Sequence, residues 1–162
     1  MASCPTDTKS CFDWIIAITP IVISLAVACI GFLQYRINKH KFRLDLYNRR
    51  FAVYEKALSY FQAYYSNDKA NLTVCKQEFI RFYRESVFLF GPNSDVYKAL
   101  TELKDTLSFF IHFEEKYSVQ PYDEDEYKVM SKARNEKRDP HAIMQDLEKA
   151  LMPWLDFKTI EK

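Results

Sequence analysis

Residues Trp14 to Leu33 read WIIAITPIVISLAVACIGFL, twenty residues in a row without a charged side chain. At a rise of about 1.5 Å per residue, a helix of that length spans the ~30 Å hydrocarbon layer of a bilayer. No other feature limits the fold as strongly. A helix that is apolar all round must be covered on every side. A chain of 162 residues has too little remaining material to do that from within. Trp14 opens the run and Tyr35 follows it, where amphipathic rings favour the two membrane–water interfaces. Pro20 and Gly31 are tolerated in a membrane helix better than in a soluble one.

Charge gives the run a direction. Asp7, Lys9 and Asp13 precede it, whereas Arg36, Lys39, Lys41, Arg43, Arg49 and Arg50 come after it, opposed only by Asp45. Lys and Arg are retained on the cytoplasmic side, so the expectation is an outside N-terminus and a cytoplasmic C-terminal part. A cleaved signal peptide fits poorly: the residues before the run are not basic, the run is too long, and the basic cluster lies after it. Within the span, Ala17, Ser24, Ala28 and Gly31 share one face. Small residues so placed let two helices approach closely, which predicts self-association through the membrane helix.

Beyond the span, the chain reads as helical. It contains only two glycines, too few for the turns of an all-β fold or for phosphate-cradling loops. No Pro or Gly occurs between Gly31 and Gly91, so the membrane helix is predicted to run on into the cytoplasm. From there an apolar stripe of Leu44, Tyr47, Phe51, Tyr54, Leu58, Phe61 and Tyr65 repeats at three and four residues, beside a second of Leu46, Val53, Ala57, Tyr60 and Tyr64. A face that wide packs against several helices. SNDKAN, from Ser66, supplies loop chemistry. A second helix is predicted from Thr73 to Phe90, stopped by Gly91-Pro92. Ser94 caps a third helix carrying Val96, Leu100, Leu103, Leu107, Phe110 and Tyr117. QPYDEDE, from Gln120, leads into a fourth with acidic residues in its first turn. Asp139-Pro140 starts a last helix that Pro153 is expected to end, with Trp154, Leu155 and Phe157 folding back onto the bundle. The predicted class is all-α: a short outer N-terminus at 1–13, a membrane helix at 14–34, a basic segment and long helix at 35–66, and the rest of a bundle of about four helices at 73–162.

The stretches FRLDLYNRRFAVYEKAL from Phe42, FIRFYRESVFLFGP from Phe79 and the ending LMPWLDFK resemble a loose group of small bacterial single-pass membrane proteins. Their pattern is a membrane helix, a basic stretch leading into an L-Y-x-R-F-x-V-Y-like helix, then F-L-F-G-like and P-Y-L-like elements. The resemblance implies a bacterial inner-membrane location and brings no activity with it. Trp154 stands where that pattern has a tyrosine.

Chemistry-bearing patterns are sparse. There is no Gly-x-Ser-x-Gly, no phosphate-binding glycine loop and no His-Glu-x-x-His. Cys4, Cys11, Cys29 and Cys75 lack zinc-ligand spacing. Cys4 and Cys11 fall on the outer side, where either a bridge between them or two separate thiols is open. His112 and Glu115 share a helix face but lack the paired Glu-x-x-His motifs of a bundle metal site. His40 belongs to the basic cluster, and His141 lies in a helix's first turn. Asn71-Leu72-Thr73 is a glycosylation sequon on the wrong side of the membrane. The net charge of +1 argues against a nucleic-acid partner. No small-molecule substrate, cofactor or metal is expected. The basic cluster can attract anionic lipid head groups, about 1 kcal/mol for each side chain near the surface. The functional expectation is a non-catalytic membrane-anchored interaction or scaffold protein, oligomeric, with a protein partner of unspecified identity. The alternative is a membrane-acting effector, such as a small toxin or a phage-exclusion protein.

Overall fold

The computed structural model of the chain describes residues 11–66, 68–118 and 123–156, the side chains of 11–13, 15 and 17 excepted. It is all-helical, with no strand among the described residues. Among the described residues five helices occur in order: α1 (Cys11–Tyr65), α2 (Lys69–Phe90), α3 (Asp95–Tyr117), α4 (Glu124–Glu136) and α5 (Pro140–Leu155). The chain divides into two compact units, one reaching to Leu44 and one starting at Asp45. α1 supplies the whole described part of the first unit and the first helix of the second.

In the first unit α1 is long and apolar enough to cross a membrane, with mean hydropathy 1.9 over its best 18-residue window. Pro20 lies inside it. Proline has no N–H to offer the carbonyl one turn earlier, so that backbone bond is missing. Ser24 donates its hydroxyl to the Pro20 carbonyl at 2.7 Å, keeping this polar side chain satisfied within its own helix.

The second unit is a small bundle with α3 at its centre, packed against α5 and α2. Its core is contiguous. α1 contributes Val53, Ala57, Tyr60 and Phe61, α2 gives Phe79 and Phe90, α3 gives Val96, Leu100, Leu103, Leu107 and Ile111, and α5 gives Ile143, Met144, Leu147 and Leu151. A fully buried Leu of this kind contributes roughly 1.5–3 kcal/mol. On α3 the expected Val96, Leu100, Leu103 and Leu107 are in the core, but Ile111 and not Phe110 continues the row, and Phe110 and Tyr117 are half-buried outside it. On α1 the two predicted stripes divide unequally. The row Val53, Ala57 and Tyr60 is fully buried, while Phe51 and Tyr65 of the other stripe are exposed. The core takes in that row, and Tyr54, Leu58 and Tyr64 pack partly buried at its margin.

The caps explain the helix limits. α2 begins at Lys69, four residues before the expected Thr73, because Asp68 accepts hydrogen bonds from the Ala70 and Asn71 amides. Gly91 ends it at φ +85°, donating its N–H to Val87 O. Ser94, Asp123 and Asp139 cap α3, α4 and α5 with their side chains. Pro153 does not end α5, which continues to Leu155.

Candidate functional site

Every described side chain from Ile18 to Phe42 is exposed within the chain itself. On this helix Ser24 and Ala28 help line a shallow notch of about 440 Å³ with Pro20, Ile21 and Leu25. At Gly31 nothing stands within 4 Å of where a Cβ would be. Three of the four small-face residues therefore sit on open surface; the side chain of Ala17 is not among those described. Cys4 lies outside the described residues. Cys11 begins α1, with its side chain outside them, so the Cys4–Cys11 question falls beyond the structure. Cys29 is a free, exposed thiol and Cys75 a free, half-buried one.

The six basic residues after the span separate into different environments. Arg36, Lys39 and Lys41 are exposed and Arg43 is half-buried. None of these four forms an ion pair among the described residues. They belong to the first unit. Arg49 pairs with Asp45 at 3.2 Å, one turn away on the exposed helix surface. Arg50 belongs to the bundle. Its guanidinium lies 4.8 Å over the Trp154 ring and 5.9 Å from the Phe90 ring, and its Nη1 donates to Trp154 O at 3.4 Å. Its Nε is buried without a hydrogen-bond partner among the described residues.

That placement has an electrostatic logic. Phe90 ends α2 and Trp154 lies in the last turn of α5, and neither helix has a basic residue of its own there. Arg50 supplies from α1 the positive charge that both C-terminal dipoles favour. Burial lowers its pKa from the ordinary arginine value. The sequence offered a signal: Arg50 stands three residues before Val53, on the buried row rather than the outer one.

Other polar ties hold the bundle's surface. Tyr64 of α1 donates to Glu114 of α3 at 2.7 Å, and Arg134 of α4 reaches the same carboxylate at 3.4 Å. Burial, and then this bond, push the Tyr64 phenol up to about 12. Arg138, between α4 and α5, clasps Glu102 at 3.1 Å and Asp146 at 2.6 Å. Its hydrogen bond, more than anything else, holds the Asp146 carboxyl below its ordinary value. Tyr54 donates to Glu148 at 2.8 Å. The sequence could not pair these residues, since none of the pairs lies within one helix. Arg81 pairs with Glu85 on its own helix and Arg84 is exposed, so the charges of the FIRFYRES stretch form a solvated face. His112 is exposed, and His141 packs edge-on to Phe61 at 4.8 Å.

Two open grooves flank the core. One of about 450 Å³ lies between α2 and α3, with Lys69 and Lys76 facing Glu115 across Leu72, Ile80 and Ile111. The other, about 480 Å³, runs between α1 and α5 beside Phe51, Tyr54, Leu151, Met152 and Leu155. Phe88, within the F-L-F-G stretch, is 89% exposed. Among the described residues no three His, Cys, Asp or Glu side chains gather as a metal site would require. No family model, curated protein or solved structure matches the chain.

Proposed function

We propose that this protein is a single-pass protein of the bacterial inner membrane that holds a helical interaction module at the cytoplasmic face. The reading rests above all on the exposed span. Twenty uncharged residues lie in one helix whose described side chains are exposed, and a bilayer supplies cover for such a helix. The exposed or half-exposed cations Arg36, Lys39, Lys41 and Arg43, all without acidic partners among the described residues, favour a cytoplasmic position for the bundle. They also suit anionic head groups.

The module is proposed to be non-catalytic and oligomeric. Open grooves and an exposed phenylalanine suit protein contact better than the enclosure of a small substrate. The notch beside Ser24 and Ala28 gives a second span a place to approach. Amine cross-linking in native membranes, followed by mild detergent extraction, is expected to capture a dimer or a larger complex. Recovery of monomer alone would count against the module.

Pro20 and the notch also support a second reading, in which the span itself acts on membranes. Expression of residues 1–50 alone separates the two: membrane damage favours an effector, and an inert fragment favours the module.

A further inference from the structure

Helix α4 is held differently from its neighbours. None of its side chains is buried. Charges and ring contacts tie it to α3, beside the half-buried Met130 and Ala133. Lys116 of α3 pairs with Glu126, and Arg134 reaches Glu114 at 3.4 Å. The Arg134 guanidinium lies 5.4 Å over the Phe110 ring and 5.2 Å over that of Phe113. Tyr127 sits with its ring centre 5.8 Å from Phe113 and 5.2 Å from Tyr117. Just beyond the helix, the Lys137 ammonium lies 5.7 Å from the Phe109 ring. Exposed ion pairs are weak and screened by salt, and exposed cation–π contacts are only slightly stronger. A helix of 13 residues is marginal by itself in water.

The surface beneath has the opposite character. Phe113 is buried, yet it does not belong to the contiguous core of the bundle. Tyr127 and Arg134 of α4 lie against its ring. Phe109, Phe110 and Tyr117 extend the same aromatic ridge along α3.

Two features limit how far a release of α4 would spread. α5, beyond α4, is fixed by Ile143, Met144, Leu147 and Leu151 in the core. Glu114 also keeps its bond from Tyr64 when Arg134 leaves, so the ridge retains an ordered carboxylate.

We propose that α4 is a releasable strap. It opens as a unit while α1, α2, α3 and α5 stay folded, it uncovers the aromatic ridge of α3, and ionic strength sets the balance. This device belongs to the bundle and does not depend on where the bundle resides.

Amide hydrogen exchange on the full chain in detergent micelles tests it, at about 0.05 M and about 0.5 M salt. Residues 124–136 should exchange together and well ahead of α3 and α5. Their rate should rise roughly three- to tenfold at the higher salt, because two ion pairs are screened. Arg134→Gln should speed α4 alone. Arg81→Gln, which removes an ion pair on α2, should leave α4 unchanged. Exchange of α4 in step with α3 or α5 would overturn the proposal, as would indifference of α4 to both salt and Arg134→Gln.

Discussion

Arg50 shows how one side chain changes meaning with its surroundings. In the sequence it closes a run of six basic residues and reads as part of a signal addressed to the membrane. In the fold it lies against Trp154 and Phe90, where two helices present their negative ends. Two helix-terminus interactions of roughly 0.3–1 kcal/mol each add to a cation–π contact of similar size. Arg50→Gln is therefore expected to destabilise the bundle by about 2 kcal/mol, read from urea unfolding followed by Trp154 fluorescence. Arg49→Gln, which loses one exposed ion pair, should cost under about 0.5 kcal/mol. Equal effects would return Arg50 to the surface cluster. Its role was half legible: the spacing to Val53 puts it on the inner row, but the rings it meets lie forty and more than a hundred residues further along the chain. Glu114, Arg134 and Arg138 were silent in the sequence for the same reason, since their partners sit on other helices.

The ends of the helices were easier to read than their inner faces, because caps are local chemistry. Ser94 and Asp139-Pro140 act as their residue types predict. Asp68 lies inside the loop-like SNDKAN, whose composition hides the cap; an Asp that accepts from two amides marks the start of α2 four residues before Thr73. Pro153 misled in the other direction, as a proline near a C-terminus can be carried within the last turn. On α1 the three-and-four repeat fits two adjacent rows equally well, and only tertiary packing, such as the stacking of Tyr60 on Phe79 of α2, selects Val53, Ala57 and Tyr60. Gly91 separates α2 from α3 with φ +85° and ψ 153°, a region that essentially only glycine occupies. A Cβ there would meet no neighbour, so the cost of Gly91→Ala is backbone strain alone. It should be about 1–3 kcal/mol, seen as a lowered midpoint of thermal unfolding with helix content unchanged. A neutral result would mean that the turn relaxes to another conformation.

For the whole molecule, the separation into a span and a bundle follows from composition. The first unit is apolar all round along its span and leaves its side chains exposed, while the second buries one stripe of each of four helices and shows charge outside. That division was legible because a twenty-residue uncharged run has few physical outcomes. The surfaces that the bundle offers to other molecules were not legible, because the grooves are built by pairs of helices and no linear motif records them. The function proposed for the chain depends on its being anchored by the first helix with the bundle in the cytoplasm. Protease accessibility of the C-terminal unit, compared between spheroplasts and inverted membrane vesicles, is the sharpest check of that arrangement. An anchored chain should appear at full length in the membrane fraction, protected in spheroplasts and digested in inverted vesicles. Digestion in spheroplasts, or a soluble chain shortened at its N-terminus, would contradict it.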